Sequence, residues 1–185
     1  DITDKRVYIT FEGIYNNSSI WCNSNNLGNR PNGYSTFTMD ITDFVENKNN
    51  IISVKVEHSD LADSRWFTGS GIYRNVYLTI TDNIHFDMNG VYVKTPSINR
   101  SEAVVEADIA ILNNKVKDTN ILLKTTIVNS EYNEVMEESL SAIGDSKTIK
   151  TIHMKVNNPI LWSTYNPFLY KLHSEIILDG KVIDD

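Results

Sequence analysis

The residues with the most chemical capacity are gathered in one irregular stretch, His58-Ser59-Asp60-Leu61-Ala62-Asp63-Ser64-Arg65-Trp66-Phe67-Thr68-Gly69-Ser70-Gly71-Ile72-Tyr73-Arg74. It offers carboxylates that accept hydrogen bonds, arginines that donate them, and flat aromatic faces. It ends at glycines that let the backbone turn into the next strand. A polar loop of that make-up reads as a binding loop. The plainer reading gives Trp66, Phe67 and Tyr73 to packing and ties Arg74 to a nearby carboxylate.

Elsewhere the residue types needed for catalysis are present but not matched. His58, His85, His153 and His173 fall singly on separate segments, and none stands at ligand spacing from a second His or a Cys. Each is expected at the surface or a strand edge, with His58 set apart by its place at the head of the loop. Gly69-Ser70-Gly71 begins like a dinucleotide loop, but Arg74 occupies the third glycine position and no βαβ pattern surrounds it. Glu137 and Glu138 are adjacent, so on a strand they point to opposite faces and cannot work as a pair across a glycosidic bond. The single Cys22 makes no internal disulfide and fits no zinc spacing. The residues alone therefore show a binding role without a catalytic apparatus.

The elements that must position this loop read as all-β. Apolar and polar residues alternate with period 2 along Val7-Ile9-Phe11, Ile20-Cys22, Ile52-Val54-Val56 and Val76-Leu78-Ile80. The pattern resumes past the turn-prone Asn89-Gly90 in Val105-Ala107-Ile109-Ile111, Ile121-Leu123-Thr125-Ile127 and Ile152-Met154-Val156. Each such face needs a layer to cover it. The one helical pattern is a turn or two between Asp40 and Glu46, with Asp40 or Thr42 as the cap. The spacing fits two consecutive β-sandwiches, residues 1–84 and 85–185, packed together without a linker.

The 185 residues carry 17 basic and 24 acidic side chains, a net charge of −7, and no basic stripe, which excludes nucleic acid as a partner. No apolar run approaches the roughly 20 residues of a membrane span, so the chain reads as soluble with no membrane partner. The start, Asp1-Ile2-Thr3-Asp4, has neither a leader pattern nor a Met, and the chain is expected to begin inside a longer polypeptide. Sequons at Asn16, Asn17 and Asn99 read as products of an Asn-rich composition.

The segment Ser64-Arg65-Trp66-Phe67-Thr68-Gly69-Ser70-Gly71-Ile72-Tyr73-Arg74-Asn75-Val76-Tyr77-Leu78 resembles the one that closes the sugar-binding domain of glycoside hydrolase family 2. Phe11 to Tyr15, Ile20 to Asn23, Leu27-Gly28, Gly33 to Phe37 and Asp40-Ile41-Thr42 resemble earlier parts of that domain in the same order. Asn158-Pro159-Ile160-Leu161-Trp162-Ser163 and Asn166-Pro167-Phe168-Leu169-Tyr170-Lys171-Leu172 resemble the signature of the family's immunoglobulin-like domain. The resemblance implies a galactose-binding-like jelly roll, lacking its first strands, followed by an immunoglobulin-like sandwich. Its Arg-Trp-aromatic form is most similar to the β-galactosidase members.

That resemblance implies a parent enzyme that hydrolyses terminal β-galactosides with retention, using two glutamates on a (β/α)8 barrel that follows in the same chain. The present residues would then be inactive alone, without a catalytic residue, metal ligand or cofactor of their own. A monovalent or divalent cation in the parent enzyme fits the same resemblance. Asp60 falls where the family lends an acidic residue to the substrate pocket, and His58, Arg65 and Trp66 complete the implied pocket loop. Asn23 falls at a family turn and reads as a turn residue. The alternative is a stand-alone carbohydrate-binding or adhesion module. If strands are missing, Val7, Ile9 and Phe11 are expected to be more exposed than in a closed jelly roll. Self-association as a homo-oligomer, and cytoplasm or periplasm as compartment, are left open by the sequence.

Overall fold

Period-2 alternation puts Val7, Ile9 and Phe11 on one face of β1 (Lys5–Phe11), and in the computed structural model, which describes residues 2–59, 68–129 and 133–185, that face is the heart of a core. The three residues are 2%, 4% and 1% exposed, so the expectation that they would be laid open is corrected. Ile14, Ile20, Phe37 and Ile41 close over them. Phe11 and Phe37, paired across strands, stack with ring centres 5.4 Å apart.

By contacts between residues the chain divides into two units, Asp1–Thr81 and Asp82–Asp185. In the first, β1 is followed by β2 (Ile14–Tyr15), β3 (Ser18–Cys22), β4 (Asn25–Arg30), β5 (Phe37–Asp40), β6 (Ile52–Val56), β7 (Gly71–Ile72) and β8 (Val76–Asp82). Their sheets run β5-β1-β8, β4-β3-β6 and the small β2-β7. The helical pattern near Asp40 resolves as a single 3-10 turn, Thr42–Phe44. Asp40 Oδ1 accepts the Thr42 N–H at 3.0 Å and the Thr42 hydroxyl at 2.6 Å, an Asx-type closure that favours a turn over a longer helix.

Exposure instead falls on β8, an edge strand, where Val76, Leu78 and Ile80 alternate as expected but remain open, Leu78 at 62%. Leu78 and Ile80 line a groove of about 690 Å³ with Val7, Ile41, Val45 and Ile52. The alternation marks an apolar face, and the described strands of this unit do not cover it.

The second unit contains β9 (Ile84–Ile98), β10 (Glu102–Asn113), β11 (Thr119–Val128), β12 (Asn133–Ala142), β13 (Ser146–Asn157), β14 (Lys171–Leu178) and β15 (Lys181–Asp184). They form one sheet ordered β13-β10-β9 and another ordered β12-β11-β14-β15. Ala107, Ile109 and Ile111 of β10, Ile121, Leu123 and Ile127 of β11, and Ile152, Met154 and Val156 of β13 share a single core, so the two sheets are the layers of a sandwich. Asn89-Gly90 does not separate strands. It forms a bulge inside β9, where the register with β10 shifts between Ile109 and Ile111 and Asn89 takes a φ of 56°.

Candidate functional site

β6 ends at Val56 and β7 begins at Gly71, so the chemically rich stretch leaves and returns within one small region of the first unit. His58 Nδ1 and Ser70 Oγ share a hydrogen bond of 2.5 Å, which clasps the two ends together. On β2, Ile14 turns into the core and Tyr15 turns outward, as alternation requires. Tyr15 lies opposite Gly71, whose φ of 106° is a conformation that side chains rarely adopt. The His58 ring meets the Tyr15 ring edge to face at 4.9 Å, and Tyr15 meets Tyr34 in the same manner at 5.3 Å.

Tyr34 is carried by a turn built on Asn32, whose Oδ1 accepts the N–H of Tyr34 at 2.8 Å and of Ser35 at 3.1 Å. Tyr73 buttresses that turn from the other side. Its hydroxyl donates to the Gly33 carbonyl at 2.8 Å, and its N–H donates to the Gly13 carbonyl at 3.3 Å. The Tyr73 ring packs directly on Gly13, where a Cβ would stand 2.6 Å from it and the ring would have to shift. The Arg74 guanidinium lies 5.6 Å from the centre of the Tyr73 ring, so among the described residues its partner is an aromatic face and not the carboxylate expected for it.

Of the residues singled out in the sequence, His58 is therefore placed at the clasp. Asp60, Arg65 and Trp66 lie outside the described residues. Tyr15 and Tyr34 were missed as site residues. The signal for Tyr15 was its outward parity beside the buried Ile14, and for Tyr34 the Asn-Gly-Tyr turn, but neither announces an aromatic cluster until the β2-β7 pair brings them to His58. Asn23 is a turn residue with φ 47°, its amide spent on the Phe44 carbonyl and the Ile51 N–H, each at 2.9 Å.

The other titratable candidates do not join this cluster. His85 is fully buried, with Nδ1 bonded to the Asp82 carbonyl at 2.8 Å, which corrects its expected place at the surface. His153 lies 3.7 Å from Glu106 and His173 3.9 Å from Asp185. Glu138 is held by Lys150. Burial raises the pKa of the Cys22 thiol, which keeps it protonated and unreactive. Among the described residues no three His, Cys, Asp or Glu side chains gather as a metal site. What the cluster offers is flat aromatic surface beside amide and hydroxyl groups, which is chemistry for holding a polyhydroxylated ring.

Two family models match the chain end to end: "Glycosyl hydrolases family 2, sugar binding domain" over residues 1–82 and "Glycosyl hydrolases family 2" over residues 84–185. A β-galactosidase of Bacteroides ovatus is 32% identical over 179 residues, which are 95% of this chain and 21% of that protein. A β-glucuronidase of Formosa agariphila is 31% identical over 208 aligned residues, covering all of this chain and 21% of its own length. The crystal structure of a glycosyl hydrolase family 2 member from Bacteroides cellulosilyticus superposes with a TM-score of 0.92 at 35% identity, over 98% of this chain and 25% of that one. The chain thus spans about a fifth of the length of the curated relatives it matches.

Proposed function

Because the chain belongs to glycosyl hydrolases family 2, we propose that it is the non-catalytic N-terminal portion of a retaining β-galactosidase, whose catalytic barrel follows in the same polypeptide. The observation that carries this reading is the match of both domain models in order along one chain. Residues 1–84 act as a jelly-roll sugar-binding domain. Residues 85–185 act as an immunoglobulin-like sandwich. The relatives are named as both β-galactosidases and β-glucuronidases, and the galactoside reading rests on the Arg65-Trp66-Phe67 form of the loop.

In this reading the His58–Ser70 clasp holds the loop at its base. Asp60 presents a carboxylate to sugar hydroxyls, Trp66 covers an apolar sugar face, and Arg65 donates beside them. Hydrolysis belongs to the barrel, so the loop contributes substrate binding and orientation.

The test is hydrolysis of p-nitrophenyl β-galactoside and p-nitrophenyl β-glucuronide by the full-length gene product. The galactoside is expected to be the better substrate, and Asp60→Asn is expected to lower its kcat/KM by about 10-fold or more. A preference for the glucuronide would overturn the substrate assignment, and an Asp60→Asn protein with unchanged kinetics would remove Asp60 from the pocket.

A further inference from the structure

Tyr34 is 63% exposed, yet it is not a loose surface side chain. Its N–H is bonded to Asn32, the carbonyl before it is held by Tyr73, and its ring is braced edge-on by Tyr15. Tyr165 in the other unit is a useful contrast. It is 99% exposed, and its side chain has no ring or hydrogen-bond partner among the described residues.

We propose that Tyr34 and the turn that carries it form a saccharide-stacking subsite, in which the tyrosine ring takes the apolar face of a hexopyranose. The ligand class rests on the glycosidase reading above, and the subsite itself rests on the turn. An aromatic ring that is already immobilised loses little freedom when a ligand lies on it, which removes one of the costs of binding. The polar groups needed beside it are on neighbouring residues. Two backbone N–H groups and the Ser35 hydroxyl all donate to Asn32 Oδ1, which fixes the orientation of that amide. Among the described residues nothing accepts from Asn32 Nδ2, so its hydrogens are available to a sugar hydroxyl. Ser35 Oγ, having donated its proton, can accept in return. Residues 31–36 carry no charged side chain, which suits an uncharged polyol. Tyr, Asn, Ser and Gly in one short turn are also the residues that recognition loops favour, combining a rigid aromatic with adaptable hydrogen bonds.

The experiment is an NMR titration of the 15N-labelled 185-residue chain with methyl β-galactopyranoside and, separately, methyl β-glucuronide. Saturable shifts are expected at the amides of Gly33, Tyr34 and Ser35, in the millimolar range. Affinity is expected to fall about 10-fold or more in Tyr34→Ala and Tyr34→Leu, the latter keeping an apolar contact to Tyr15, and to be retained in Tyr34→Phe and Tyr165→Ala. Absence of saturable shifts in the turn with both sugars, or wild-type affinity in both Tyr34→Ala and Tyr34→Leu, would overturn the subsite. Binding of the glucuronide in preference to the galactoside, at the same amides and dependent on Tyr34, would keep the subsite and count against the galactoside assignment alone.

Discussion

The Tyr73 hydroxyl donates to the Gly33 carbonyl at 2.8 Å, joining the strand exit after the chemically rich loop to the turn that displays Tyr34. Two segments forty residues apart thereby become one surface. Tyr73→Phe removes the donor while keeping the ring against Gly13. It is expected to cost about 1 kcal/mol of unfolding free energy in urea denaturation and to speed hydrogen exchange at Tyr34 and Ser35. Unchanged exchange at both amides would show that the turn holds its shape without Tyr73.

Asp184 Oδ2 accepts the Phe86 N–H at 2.7 Å, which ties the last strand of the second unit to its first. Burial raises the Asp184 pKa above its ordinary value of 3.8, against the Phe86 bond and the neighbouring His85, which lower it. A raised carboxyl pKa means that the fold favours the protonated form. That contribution is complete below about 3.8 and is lost as pH rises through the raised value. Asp184→Asn keeps an acceptor for Phe86 without the charge. Its melting temperature at pH 7 is expected to equal or exceed that of the wild type, with the advantage shrinking toward pH 4. Asp184→Ala, which leaves the N–H unpaired, is expected to melt lower at both. An Asn variant that is less stable than the wild type at pH 7 would contradict this.

Thr125 and Ser174 face each other across β11 and β14 inside the core, their hydroxyls 3.1 Å apart. The pairing explains how two polar groups survive burial. Thr125→Val alone strands the Ser174 hydroxyl and is expected to cost about 1–3 kcal/mol, while Thr125→Val with Ser174→Ala is expected to recover part of that loss. Strictly additive losses in the double variant would mean that the hydroxyls do not depend on each other.

Alternation revealed the strands and their inner faces because burial in a sandwich selects every second residue. Ala107, Ile109 and Ile111, or Ile121, Leu123, Thr125 and Ile127, are buried as that period demands. The same period could not say what lies against a face, which is why Leu78 and Ile80 read like core residues and are open. Asn89-Gly90 misled for a related reason. A positive φ serves a bulge as well as a turn, and only pairing with β10 distinguishes them. At the candidate site, His58 was legible as the head of a polar loop. Its partners were not, because Tyr15 and Ser70 reach it through the β2-β7 pairing of residues distant in sequence.

The central claim, that this chain contributes binding surfaces to a galactosidase whose chemistry lies elsewhere in the polypeptide, is tested most directly by one assay run on two proteins. Hydrolysis of p-nitrophenyl β-galactoside is followed with the purified 185-residue chain and with the full-length gene product at equal molar concentration. The full-length protein is expected to turn over the substrate and the 185-residue chain to remain at the blank rate. Turnover by the isolated chain, or none by the full-length protein, would contradict it.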